Sequence, residues 1–383
     1  MTNADRDVDV AVVGAGVVGL AVAAALARTH SVALIERHPG IARETSSHNS
    51  QVVHAGIYYP TGSLKHLLCL EGRALLYEWC AARGVPIRRT GKLIVATHPS
   101  ELPGLDGVWE QARRNGVEGM SRLTEAAARA LEPAVPAVGA LHSEATGAVD
   151  AFAYARSLEA TARADGAMVA LAHEVRAASR DAESFTLELI GPDGAPARLR
   201  CAAIVNAAGH GAPALAASLG YPLDGAEGVP ALRQRPNQGR YYDVAPSAAR
   251  AVSRHVYPVP HGTRDMPEFM RRAGGLGVHL TVDIDGGVHL GPDTEWLEEG
   301  ATLDYRSDDT RRAAFLAAGQ RLLPHLTDDD IAPGQVGYRP KLTAAGSEDF
   351  VIWADRGYVH LGGIESPGLT ASLAIADRVA RLL

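Results

Sequence analysis

A chain of 383 residues is long enough to bury two cores, so two domains are the expectation. Hydrophobic residues make up 46% and charged residues 21%, which is the composition of an ordinary globular enzyme and not of a disordered chain. A formal net charge of −7 without basic clusters argues against a nucleic-acid partner.

Val8 to Val13 is a β-branched run that reads as a buried parallel strand. Gly14, Gly16 and Gly19 follow with the G-x-G-x-x-G spacing, and Leu20 to Ala27 continues as an apolar, alanine-rich helix. The first glycine permits a tight turn, the second leaves room for a pyrophosphate, and the third lets helix and strand pack closely. Phosphates would then sit at the helix N-terminus, where free N–H groups and the helix dipole favour an anion. A second strand, Ser31 to Ile35, ends at Glu36, where a carboxylate can bind ribose hydroxyls. A glycine-rich turn without a ligand is the alternative, and the register of strand, turn, helix, strand and acid speaks against it. The apolar run Val8 to Ala27 also has the length of a signal peptide or membrane span. Its glycines, acidic lead-in and lack of an N-terminal basic region argue against both.

Arg37 to Gln51 is polar and rich in Ser and Thr, suited either to a capped surface loop or to wrapping a phosphate or sugar chain. Val52 to Pro60 then sets His54 between apolar residues, followed by Gly56 and the paired tyrosines Tyr58 and Tyr59. Ser63 to Ala82 has helical periodicity, with Ser63 as N-cap and Gly84 as C-cap. Lys92 to Thr97 reads as a strand, Pro99 to Glu132 as mixed helix and loop, and Phe152 to Ala164 as a helix. Met168 to Ile190 contains strands that give way to a turn at Pro192-Asp193-Gly194. Ala202 to Asn206 is a short buried strand, and Ala207-Ala208-Gly209 after it suits a second approach to the dinucleotide.

From Gly239 to Gly291 the signals are mostly β: Arg240 to Val244, His255 to Val259, Val278 to Val282 and Val288 to Leu290, the last two joined by an Asp285-Gly286-Gly287 turn. Asp308 to Leu323 is an amphipathic helix. Gln335 to Leu342, Asp349 to Ala354 and Tyr358 to Leu361 are strands, and Gly362 to Thr370 opens a last helix to Leu383. A nucleotide-binding domain is therefore expected from residues 1-85, 141-215 and 335-383, with a largely β domain from 86-140 and 216-334. The cysteines Cys69, Cys80 and Cys201 form no C-x-x-C and no metal spacing. They read as small buried thiols in a reducing compartment, so a cytoplasmic protein, free or peripheral at a membrane but with no integral span, is expected and no metal site.

Several separated segments resemble one family. They are Thr45 to Pro60, Gly62 to Lys65, Gly91 to Val95, Val205 to Gly209, Tyr257 to Pro260, Leu276 to Thr281, Arg339 to Leu342 and Glu365 to Thr370. Together they are similar to the FAD-dependent L-2-hydroxyglutarate dehydrogenase/oxidase family, within the D-amino-acid-oxidase-like flavoproteins. His48 stands where members carry arginine, and Gln51 where they often carry glutamate. The resemblance implies an α/β fold: a Rossmann-type FAD-binding domain with a largely antiparallel β-sheet substrate domain. It also implies non-covalent FAD, and no cysteine lies near the C-terminal motif where sarcosine-oxidase-like relatives tether theirs. Residues expected at the cofactor are Gly14, Gly16, Val18, Gly19, Glu36, Arg37, Thr45, Ser46, Asn49, Ser50, Val175, Ala207, Ala208, Gly209, Gly368, Leu369 and Thr370.

Oxidation of a 2-hydroxy acid needs one group to fix the carboxylate and another to accept the hydroxyl proton, while the flavin takes the hydride. Arg339 matches the strand arginine that grips substrate in related oxidases, and a guanidinium forms two parallel bonds to a carboxylate. His54 and His279 are the candidate bases. Lys65, Lys341, Tyr58 and Tyr257 either hold a second carboxylate, as a five-carbon diacid requires, or serve as structural polar groups. The Pro367 to Thr370 helix start can turn its positive end toward the flavin. The expected reaction is L-2-hydroxyglutarate to 2-oxoglutarate, with oxygen, a quinone or a carrier protein left open as electron acceptor. An FAD-dependent amino-acid or amine oxidase of the same fold, a non-enzymatic binding scaffold and a nicotinamide-dependent reductase are the alternatives.

Overall fold

The computed structural model describes residues 6–250, 252–260, 277–343 and 349–383; Leu276 of the expected motif lies outside them. Val8–Val13 is the centre of the first sheet, and its apolar side chains are buried on both faces. Val32–Ile35 and then Met168–Ala170 lie parallel on one side of it. The last part of Pro196–Asn206, and then Tyr358–Gly362, lie parallel on the other. The strand order thus reverses at Val8–Val13, and the crevice beyond its C-terminal end is where an open α/β sheet takes a ligand. The first part of Pro196–Asn206 bends away to pair antiparallel with Phe185–Ile190, which pairs in turn with Glu174–Arg180.

Four helices, Val17–Leu26, Leu64–Arg83, Ala151–Ala164 and Gly368–Ala380, share one apolar core with this sheet. The second of them begins and ends where its sequence dictates. Ser63 accepts a hydrogen bond from the His66 amide at 3.1 Å, and Gly84 takes the left-handed conformation (φ 64°) while its N–H reaches the Cys80 carbonyl. Gly72 lets this helix touch the last one, since a Cβ there would lie 2.5 Å from the Thr370 carbonyl. Cys69, Cys80 and Cys201 are all buried free thiols.

The second sheet runs in the order Glu295–Trp296, Gln234–Val244, Val288–Gly291, His279–Val282, His255–Pro258, Lys92–Ala96, Gly139–Ser143 and Met120–Thr124, and Ile331–Leu342 also pairs with Gln234–Val244. Among the described pairs in this sheet only His255–Pro258 with Lys92–Ala96 is parallel, so the sheet is largely antiparallel as expected. Helix Arg312–Leu322 covers it through Phe315 and Leu322. Some boundaries move. The last helix starts at Gly368, since Pro367 ends the loop before it, and Arg312–Leu322 starts four residues later than Asp308. The strands Met120–Thr124 and Gly139–Ser143 were not expected. Two expected domain divisions, 140/141 and 334/335, fall inside Gly139–Ser143 and Ile331–Leu342, both members of the second sheet. No helix among the described residues is long and apolar enough to cross a membrane.

Candidate active site

A cavity of about 1190 Å³ opens beyond the C-terminal end of Val8–Val13, with walls from both sheets. Small-ligand pockets hold roughly 300–1,000 Å³, so this one has room for an extended ligand and a further small molecule.

At its first end the glycine turn is built as the sequence demands. Gly14 has φ +102°, and a Cβ there would lie 2.5 Å from the Ala207 carbonyl. A Cβ at Gly16 would come within 3.0 Å of the Ser46 hydroxyl, a tight contact that glycine avoids. The Val17 N–H donates to Ser46 Oγ at 2.9 Å, and the Ala15 and His38 amides donate to the Glu36 carboxylate, each at 2.8 Å. Val18, Arg37, Thr45, Asn49, Ser50, Val175, Ala207, Ala208, Gly209, Gly368 and Leu369 line the same space. The polar loop holds its own shape. Asn49 Nδ2 donates to the Thr45 and Ser46 carbonyls at 3.0 and 2.9 Å, and Thr45 Oγ1 donates to the Tyr338 carbonyl at 2.8 Å. Arg37 pairs with Glu44, which also meets His38 Nε2 at 2.8 Å.

Two residues expected at the cofactor stand behind the wall. Gly19 and Thr370 do not line the cavity. Gly19 lies against Gly14 and serves packing, while Thr370 Oγ1 accepts from the His54 amide at 3.0 Å and donates to the Val52 carbonyl. The two departures from the family pattern also separate. Gln51 stands behind the wall, where its Oε1 accepts from the Ala151 amide (3.0 Å) at the start of a helix. His48 lines the cavity, with its ring 4.4 Å from Tyr305.

At the second end the structure brings together His54, Tyr58, Lys65, Tyr257, His279, Arg339 and Lys341, all on the cavity wall. His54 Nε2 meets Ser366 Oγ at 3.1 Å. Burial, then the nearby Lys92 and His255, push this imidazole down to about 3. His279 lies flat on Tyr257, with ring centroids 3.8 Å apart and planes 6° from parallel, and its buried Nδ1 has no hydrogen-bond partner among the described residues. Burial, then Lys92, His54, Arg339 and His255, hold it well below the usual histidine range. In both, the surroundings favour the neutral ring, the form with a free ring nitrogen to act as acceptor.

Arg339 donates to Asn237 Oδ1 and, at 2.7 Å, to the Asp293 carbonyl, which aims its guanidinium while leaving donors for a ligand. Lys65 and Lys341 both reach one oxygen of Glu365, at 2.8 and 3.3 Å. Burial alone would raise the Glu365 carboxyl, but Lys65 and Lys341 outweigh it and keep the group below its ordinary value. Among Arg339, Lys65, Lys341 and Glu365 alone the balance is two positive charges. Asp349, on the same wall, keeps its negative charge but accepts from the Leu64 and Lys65 amides at a helix N-terminus, whose positive end offsets part of it, and Asp293 pairs with Arg240.

Sequence reasoning missed Glu365, Ser366 and Lys92. Lys92 is 1% exposed, with Nζ 4.5 Å from the Tyr257 ring centroid and 4.9 Å from that of Tyr58. No carboxylate pairs with it among the described residues, and burial pushes it down to about 7. The signal was a lone lysine opening an otherwise apolar strand. Two cation–π contacts contribute about 0.5–2 kcal/mol each, less than the several kcal/mol that a depression from 10.5 to about 7 represents. Lys92→Met should therefore raise the thermal midpoint. Between the folded value near 7 and the unfolded 10.5 only the unfolded chain holds the proton, so wild-type stability climbs with pH there. The variant's advantage is full below 7 and fades toward 10.5. Calorimetry at about pH 6 and about pH 9.5 checks this, and a Lys92→Met protein less stable than wild type at the lower pH would contradict it.

A Rossmann-type sheet with a glycine cradle, joined to an antiparallel sheet that brings His279, Arg339 and Lys341 to the same cavity as His54 and Lys65, defines a flavin-dependent oxidoreductase. The chain belongs to the FAD-dependent oxidoreductase family, whose model matches residues 9–382. It is 36% identical to the mitochondrial L-2-hydroxyglutarate dehydrogenase of Arabidopsis thaliana, over 99% of this chain and 84% of that protein. The human mitochondrial L-2-hydroxyglutarate dehydrogenase is 30% identical over 97% of this chain and 88% of its own length. The Indibacter alkaliphilus L-2-hydroxyglutarate dehydrogenase is 27% identical, over 97% and 98%. Among solved structures, the dithionite-reduced L-alpha-glycerophosphate oxidase of Mycoplasma pneumoniae with FAD bound superposes with a TM-score of 0.84 at 26% identity, covering 98% of this chain and 94% of that one.

Proposed function

We propose that the protein oxidises a 2-hydroxy diacid, L-2-hydroxyglutarate to 2-oxoglutarate. The observation that carries this reading is the cluster of Arg339, Lys65 and Lys341 around one Glu365, whose two surplus positive charges suit two carboxylates. Relatives that carry the name L-2-hydroxyglutarate dehydrogenase support it. An amino acid with a single carboxylate would leave part of the cluster's surplus positive charge unmatched.

FAD fits the first end of the cavity, because the Gly14 and Gly16 cradle and the N-terminus of Val17–Leu26 stand open to a diphosphate and Glu36 lies where a ribose would be held. When bound, it supplies a hydride acceptor. The protein's own residues do the rest. Arg339 fixes the carboxylate beside the reacting carbon, and Lys65 and Lys341 fix the other. His54 Nε2 takes the hydroxyl proton, relinquishing Ser366 to do so. The N-terminus of Gly368–Ala380, which meets the cavity at Gly368 and Leu369, favours negative charge there. Three buried free thiols support a cytoplasmic location, alone or peripheral to a membrane.

Mixing the FAD-loaded protein anaerobically with a panel of 2-hydroxy and 2-amino acids tests the reading. It does so whether oxygen, a quinone or a carrier protein is the eventual acceptor. L-2-hydroxyglutarate should bleach the visible flavin band, and glycine and glutamate should not. Bleaching by the amino acids alone would overturn it.

A further inference from the structure

Lys65 stands on helix Leu64–Arg83, Lys341 on strand Ile331–Leu342, and Glu365 in the loop before the last helix. Three unrelated elements thus converge on a single carboxylate oxygen in the wall of the substrate end of the cavity. An ammonium has three donors. Lys65 gives one to Glu365 and Lys341 pairs with the same oxygen at 3.3 Å, and the described residues offer the remaining donors no other acceptor. Without Glu365 the two ammonium groups would repel each other in a poorly solvated wall, where like charges cost far more than in water. With it they stand together and keep donors free for one more anion.

Spacing adds to the charge count. Arg339 and Lys341 are two residues apart on one strand, so their side chains leave the same face. Along the strand this places their origins roughly 6.6 Å apart, a reach comparable with the two ends of a five-carbon diacid.

We infer that Glu365 is a specificity-determining residue: its carboxylate takes up one of three positive charges and holds Lys65 and Lys341 together, so the site accepts a ligand with two carboxylates and rejects one with three. The inference rests on the reading of this end of the cavity as the substrate site, and it assigns the selection to a group that carries no bond to the substrate. A neutral side chain at the same position would leave three cations facing the ligand and shift the preference toward trianions.

Calorimetric binding to the FAD-loaded protein tests it without turnover, using butyrate, glutarate and propane-1,2,3-tricarboxylate as one-, two- and three-carboxylate probes. Wild type should bind glutarate best. In Glu365→Gln the tricarboxylate should gain on glutarate by about tenfold or more, the scale of one added charge in a partly buried site. Lys341→Met removes a cation from the more open edge of the cluster and should shift the preference the other way, with butyrate gaining on glutarate. It supplies the decision where Glu365→Gln fails to retain FAD. A tricarboxylate-to-glutarate ratio in Glu365→Gln within about twofold of wild type, or an unchanged butyrate-to-glutarate ratio in Lys341→Met, would overturn the inference while leaving the diacid reading in place. Failure of wild type to bind glutarate would overturn both.

Discussion

Arg339→Ala should lower kcat/KM for the hydroxy acid by roughly 30- to 4,000-fold, from the 2–5 kcal/mol typical when one partner of a desolvated charge pair is removed. Most of the loss should appear in KM, because the guanidinium holds the carboxylate before and during the reaction alike. The flavin spectrum and FAD content should be unchanged, since Arg339 lies at the substrate end and its own protein contacts are Asn237 and the Asp293 carbonyl. Arg339→Lys should recover only part of the loss. An ammonium can restore the charge but not the planar fork, and the contact to Asn237 that aims the guanidinium has no counterpart on a point charge. Steady-state kinetics on both variants, with thermal midpoints as a check on folding, measures this. An unaltered kcat/KM in Arg339→Ala would remove the residue from the site.

The same residues show why some of the site was legible in the sequence and some was not. The glycine turn is a local device: φ +102° at Gly14 and the crowding of Gly14 against Gly19 depend on neighbours within a few positions and on one strand beside them. Ser63 and Gly84 bound their helix for equally local reasons. Met120–Thr124 is an edge strand with a largely half-exposed face, so it carries no apolar alternation by which to find it. Gly139–Ser143, by contrast, is buried along almost its whole length, and its glycine, alanine and histidine have little strand preference; its pairing partners decide its state. Arg339, His54 and His279 were found through resemblance. Glu365 escaped because its meaning lies in two lysines, one 300 residues before it. Lys65 and Lys341 were expected either to hold a second carboxylate or to serve as structural polar groups, and nothing in their own sequence context shows that they share one counter-ion.

His54→Gln should slow anaerobic flavin reduction by about two to four orders of magnitude with FAD still bound, the usual share of a positioned general base. Glutamine keeps a group able to hydrogen-bond the substrate hydroxyl, so position is tested apart from proton transfer. His54 is the better placed of the two histidines. Its Nε2 stands at the cavity wall with Ser366 as its partner among the described residues, whereas Nδ1 of His279 is sealed from solvent and its ring is held flat against Tyr257. The pH profile gives a second reading. Burial, with Lys92 and His255 behind it, pushes His54 down to about 3, so the free enzyme keeps the neutral, working form far below the ordinary histidine value. The profile of kcat/KM, which reports the free enzyme, should therefore show no acid limb near 6.5 from this residue. A bound dianion stabilises imidazolium, so the limb of kcat should lie at higher pH than that of kcat/KM. Near-wild-type reduction by His54→Gln would show that His54 only orients the substrate. The base would then be His279, and the same rate measured on His279→Gln, with the fall now in that variant alone, would establish it.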